Sequence, residues 1–162
     1  MSKLKCCIYA ALFAALTFVC TAYLQIPIAG GAGYVHIGDV FVLLSALLLP
    51  LPYAAVASAL GGSLADLTSG YVAYAPATVV VKALMVVVVW LVCHAGRKWW
   101  IVVLSFVAAT FVLALGYFVY EIFLFRAETA LVDIPSNLLQ GAACSVVAFP
   151  VYKLVEGRLR LE

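Results

Sequence analysis

Apolar residues fall in six long blocks along this chain, and short polar or proline-rich stretches separate them. The blocks cover residues 5–25, 37–49, 53–67, 76–94, 99–125 and 135–153. Each is rich in Val, Leu or Ala without strand-like alternation, and each reads as a helix. Pro27 and the Ile28-Ala29-Gly30-Gly31-Ala32-Gly33 stretch stop the first. Pro50-Leu51-Pro52 forces a tight turn between the second and third, because proline fixes φ and donates no N–H. Residues 68–75 read as a loop around Gly70, and Pro76 suits the first turn of the fourth helix. Gly96-Arg97-Lys98 is a turn, residues 126–133 read as a polar loop, and Pro135 opens the sixth helix.

A crossing of lipid takes about 20 residues. The second and third blocks are shorter than that, so two crossings are favoured over a re-entrant hairpin without excluding it. Composition decides the solvent: of 162 residues, 68% are hydrophobic and 10% charged, where a soluble domain carries roughly 25% charged. The expectation is an all-α integral membrane protein, a single six-helix transmembrane domain over residues 1–162. Lys3 and Lys5 before an apolar run also fit a signal peptide; the length of the run favours a first membrane helix.

Charge sets the orientation. Lys3, Lys5, Arg97, Lys98, Lys153, Arg158 and Arg160 fall at the N-terminus, the fourth turn and the C-terminus, which six crossings place on one face. The positive-inside rule makes that face, and both termini, cytoplasmic. The loops near 28–36, 68–75 and 126–133 then face outward, and only Arg126 among the cations lies in them.

The other polar residues converge by depth. Asp39, Asp66, Lys82, Glu121, Asn137 and Gln140 all fall in the outer third of their helices; Lys82 lies about 9 Å below the start of its helix at 1.5 Å per residue. An ionisable group inside a span costs at least about 2.5–3.5 kcal/mol at the helix centre unless paired or wet, so Lys82 is expected to pair with Asp66 or Glu121. Asn137 and Gln140 share one face. Such a set suits a cavity open to the outside, with Tyr34, Tyr71, Tyr74, Tyr117 and Tyr120 at the same level to stack on a flat ring. Competing roles exist for each: tyrosines anchor at the interface, amides join helices, Lys82 serves as a structural ion pair, and His36 is read first as a solvated loop residue.

Ala10, Ala11, Ala14 and Ala15 give two Ala-xxx-Ala spacings, a flat stripe suited to close helix approach, within the chain or with a partner. Cys6, Cys7, Cys20, Cys93 and Cys144 lie in or beside apolar runs as packing residues, with no CxxC pair or zinc spacing. No phosphate loop, HExxH or GxSxG motif occurs, and no basic stripe suited to nucleic acid. No cofactor is expected, and a transporter built from this chain draws on an ion gradient or on a partner that hydrolyses ATP.

Several stretches resemble the S components of energy-coupling factor transporters, in the branch labelled riboflavin-type or hydroxymethylpyrimidine/pyridoxine-type. They are Gly33-Tyr34-Val35-His36-Ile37-Gly38-Asp39, Ala65-Asp66-Leu67-Thr68-Ser69-Gly70-Tyr71, Tyr74-Ala75-Pro76-Ala77-Thr78 with Lys82, Leu115-Gly116-Tyr117-Phe118-Val119-Tyr120-Glu121, and Ile134-Pro135-Ser136-Asn137 with Gln140. The resemblance covers nearly the whole chain. It implies six helices, a vitamin site near the outer face, a membrane T subunit and two ATPases as partners, and docking of the T subunit on Ala10/Ala14 or Ala11/Ala15. His36 stands where a small polar residue such as asparagine is expected.

The functional expectation is a substrate-binding subunit of a multi-pass importer in the bacterial cell membrane, itself not an enzyme, that takes up a small water-soluble vitamin or precursor. Candidate substrate-binding residues are Asn137, Gln140, Lys82, Glu121, Tyr74, Tyr34, His36, Asp66 and Tyr117. The rivals are a stand-alone ion-driven carrier and a ligand-free structural or regulatory membrane subunit.

Overall fold

Each apolar block becomes a helix in the computed structural model, which describes residues 2–27, 34–124 and 127–156. Helix α1 (Lys3–Tyr23) starts where the Ser2 hydroxyl accepts the Lys5 N–H, a common N-cap arrangement. Strands β1 (Gln25–Pro27) and β2 (Tyr34–His36) follow, then α2 (Asp39–Leu48), α3 (Leu51–Thr68), α4 (Ala75–His94), α5 (Trp99–Leu124) and α6 (Ala127–Val155). Pro52 and Pro76 sit in the first turns of α3 and α4, where the missing N–H costs nothing.

Helices α1, α4, α5 and the 130–155 portion of α6 are long and apolar enough to cross a membrane, and the chain is a multi-pass membrane protein. Helix α2 is different. It has 10 residues, rising about 15 Å against a hydrocarbon core of about 30 Å. All its residues but Phe41 are buried, and it packs on α1, α3, α4 and α6. A helix apolar all round belongs inside; here the other helices, rather than lipid, surround it. Leu43, Leu47, Met85, Val89, Phe106 and Tyr152 build the apolar core around its C-terminal half. Its N-terminal end carries Asp39 to the opposite, polar end of the bundle.

Helix α3 wedges between α1 and α4 because two adjacent glycines let both approach. A Cβ on Gly61 would lie 2.6 Å from the Ala14 carbonyl oxygen, and one on Gly62 would lie 2.8 Å from Thr78 Cγ2. In lipid, where no hydrophobic effect drives helices together, such close packing carries the association.

Two sequence expectations are corrected. Residues 127–133, read as loop, are helical, and Pro135 lies inside α6 rather than at its start. A proline removes one ladder bond and kinks a helix, but neighbouring helices re-satisfy freed groups within a membrane bundle. The loop after α1, expected to face outward, also forms a hairpin where it is described, pairing Gln25 with His36 and Pro27 with Tyr34. Residues 28–33, Arg126, Arg158 and Arg160 lie outside the described residues.

Candidate functional site

At the polar end of the bundle six elements and the α3–α4 turn bring side chains toward one small cavity. Thr21 comes from α1, Tyr34 and His36 from β2, and Asp66 from the end of α3. Tyr71 and Tyr74 come from the α3–α4 turn, Thr78 from α4, and Tyr117 and Glu121 from α5. Helix α6 supplies Asp133, Asn137 and Gln140. The cavity is about 30 Å³, room for about two waters.

Beneath its wall lies a buried ion pair. Lys82 Nζ is 2.6 Å from Asp39 Oδ1, with both side chains fully buried. The expected partners, Asp66 and Glu121, are not the ones used. Helix α2 sits between α4 and α6, so Asp39 meets Lys82 first. Asp66 is engaged by hydroxyls instead, accepting from Tyr34 at 2.6 Å and from Thr78. Lys82 itself is absent from the cavity lining; its ammonium lies 5.6 Å from the centre of the Tyr117 ring.

Gln140 ties the ion pair to the hairpin. Its amide nitrogen donates to Asp39 Oδ2 at 2.7 Å, and its oxygen accepts the His36 backbone N–H at 3.0 Å. These two bonds fix which end of the amide is which. The expectation of a solvated His36 is overturned, for the residue is only 6% exposed. The hairpin folds it over the end of α2, where its Nδ1 accepts the Gly38 N–H at 3.1 Å and faces the Thr21 hydroxyl at 3.3 Å. With Nδ1 the acceptor, the ring hydrogen sits on Nε2. The 3.3 Å approach of Nε2 to the Gln140 nitrogen then brings two N–H groups together and is a contact rather than a bond. Burial, aided by the nearby Lys82 charge and opposed by Asp39, pushes the His36 pKa down to about 4, so the imidazole is neutral.

The far end of the cavity is acidic and aromatic. Glu121 and Asp133 are 2% and 1% exposed, and the two carboxyl groups are within hydrogen-bonding range of each other. Glu121 Oε1 accepts the Tyr74 hydroxyl at 3.2 Å. The rings of Tyr34 and Tyr71 are 4.5 Å apart, and Tyr74 lies 6.1 Å from Tyr117. Burial, reinforced by the carboxylates beside them, raises the phenols of Tyr34 and Tyr74, so both stay protonated donors. Tyr120 stands behind this wall, its hydroxyl on the Ala73 carbonyl oxygen.

Of the nine candidates, all but Lys82 line the cavity. Sequence reasoning missed Asp133, Thr21 and Thr78, and it counted Asp39 in the converging polar set where the structure makes it the partner of Lys82. Asp133 was legible: 133, 137 and 140 follow the i, i+4, i+7 spacing of one helix face, and the buried residues Cys144, Ala148 and Tyr152 continue it. Reading Pro135 as a helix start hid that stripe. The alanine stripe divides. Ala10 and Ala14 are half-buried, with the Ala14 backbone against Gly61, while Ala11 and Ala15 are exposed.

A family model described as ECF-type riboflavin transporter, S component, matches residues 1–156. A protein of Pyrococcus woesei described as "Uncharacterized protein in gap 3'region" is 26% identical over 129 residues, covering 80% of this chain and 86% of that protein.

Proposed function

The chain belongs to the ECF-type riboflavin transporter S component family, and from that premise we propose that it captures a small water-soluble vitamin or precursor at the outer face of a bacterial cytoplasmic membrane. Delivery inward takes a membrane T subunit and two ATPase subunits. The observation that carries this reading is the tyrosine-walled cavity at one end of an otherwise apolar bundle, where buried carboxyl and amide groups converge from several helices. Buried polar groups held in place reject analogues that leave them unmatched, which suits capture of a scarce solute.

Six passes with both termini cytoplasmic accommodate the short α2 as an inner pass shielded from lipid. A vitamin-sized ring exceeds the cavity, so binding parts the tyrosine wall. Tyr34 on the hairpin and Tyr71 and Tyr74 on the α3–α4 turn are the tyrosines of the wall outside the helices. Docking of the T subunit falls to Ala11 and Ala15, the exposed half of the stripe, rather than Ala10 and Ala14.

Mass spectrometry of the purified protein, followed by uptake in liposomes, tests the reading. A co-purified vitamin and uptake that needs ATP and the partner subunits support it. Uptake by the chain alone on an ion gradient, or a folded protein that binds no vitamin, overturns it.

A further inference from the structure

Four buried carboxyl groups face one buried ammonium among the described residues: Asp39, Asp66, Glu121 and Asp133 against Lys82. The ammonium is committed to Asp39. Asp66 is matched by two hydroxyl donors. At Glu121 the matching stops: Oε1 accepts from Tyr74, but no N–H or hydroxyl donor reaches the buried Oε2, which has the Asp133 carboxyl as its neighbour, and the side chain lines the cavity.

The tyrosines do not remedy this. The hydroxyls of Tyr34 and Tyr120 are directed to Asp66 and to a backbone carbonyl. Tyr34, with Tyr71 and Tyr117, gives the cavity ring faces and leaves Glu121 Oε2 without a donor. Ring faces and carboxylates together are the two features that hold organic cations, through the ring quadrupole and direct charge pairing. An anionic solute would set a second negative charge against Glu121. About 10 Å along α6 from Asp133 to Gln140, the other end offers the His36 Nε2–H, a donor.

Resting on the proposed role in vitamin capture, we propose that the solute is a flat heteroaromatic carrying an amino or ammonium group, which it presents to Glu121. Its ring lies against the tyrosines, and a ring nitrogen or hydroxyl accepts from His36. A neutral flavin or a phosphate ester satisfies the acidic end poorly by comparison.

The test is calorimetric titration of the full chain in detergent with four probes: pyridoxamine, pyridoxine, the amino-substituted hydroxymethylpyrimidine, and riboflavin. Pyridoxamine and pyridoxine differ only in aminomethyl against hydroxymethyl. The expected result is binding of the amine-bearing probes, with pyridoxamine at least about tenfold tighter than pyridoxine, the size of a charge-assisted bond. Glu121→Gln, which keeps the shape of the side chain, should remove most of that preference. Pyridoxine or riboflavin binding as tightly as the amines overturns the proposal and leaves the capture role standing. An unchanged preference in Glu121→Gln with a more heat-stable protein also overturns it, showing a carboxyl pair that shares a proton and takes no ligand. Failure of all four probes to bind a folded protein removes the capture role with it.

Discussion

The Lys82 ammonium meets the Asp39 carboxylate at 2.6 Å, across a 43-residue separation in sequence and out of contact with solvent. Removing one member of such a pair strands a buried charge. Asp39→Asn is therefore expected to lower stability by about 3–5 kcal/mol, while Asp39→Leu combined with Lys82→Met costs far less. Thermal unfolding in detergent checks this. Equal losses in the single and double variants would show that the charge pairing is incidental.

Gln140 and Asn137 share a helix face but are expected to fail in different ways. Gln140 bridges Asp39 and the hairpin backbone, so Gln140→Leu should destabilise the fold by about 1–3 kcal/mol. Asn137→Ala should spare folding and weaken solute binding by a similar amount. Parallel melting curves and titrations separate the two, and a destabilised Asn137→Ala with unaltered affinity would contradict the assignment.

Acid should loosen the hairpin. His36 has a folded pKa of about 4, below the ordinary value of about 6.5. As pH falls from 6.5 toward 4 the unfolded chain takes up a proton that the native chain refuses. Stability therefore falls across that window, by up to about 3 kcal/mol, and the loss levels off below it. Protonation would also set a second N–H against Gly38. Melting temperature followed from pH 7 to 4 should drop less steeply in His36→Gln than in the wild type; matching slopes would refute the assignment.

The two halves of the alanine stripe should separate folding from coupling. Ala14 is pressed against Gly61, so Ala14→Trp should disrupt α1–α3 packing and lower expression of folded protein. Ala15→Trp points a bulky group from an exposed position. It should leave solute affinity within about twofold and abolish ATP-dependent uptake with the partner subunits. Normal uptake by Ala15→Trp would move the docking surface elsewhere.

Orientation is open to labelling in a background lacking the five free cysteines. Val72→Cys, exposed on the α3–α4 turn, should react with an impermeant reagent on intact cells, and Lys98→Cys should not. The reverse pattern would invert the topology.

The blocks of apolar residues determined the helices by themselves, because a chain this poor in charge has only lipid or its own interior to face. Depth along each helix also followed from the sequence, since 1.5 Å per residue needs no tertiary information. That is why Asn137, Gln140, Glu121 and the tyrosines could be gathered at one level. Which of them touch could not. Lys82 has three carboxylates at a similar depth, and only the central seat of α2 makes Asp39 its partner. His36 looked like a loop residue until the hairpin folded it over α2. Pro135 looked like a helix start until the surrounding bundle allowed α6 to continue through it. Sequence fixes distance along a helix axis, whereas azimuth and neighbour are decided by how helices pack around one another.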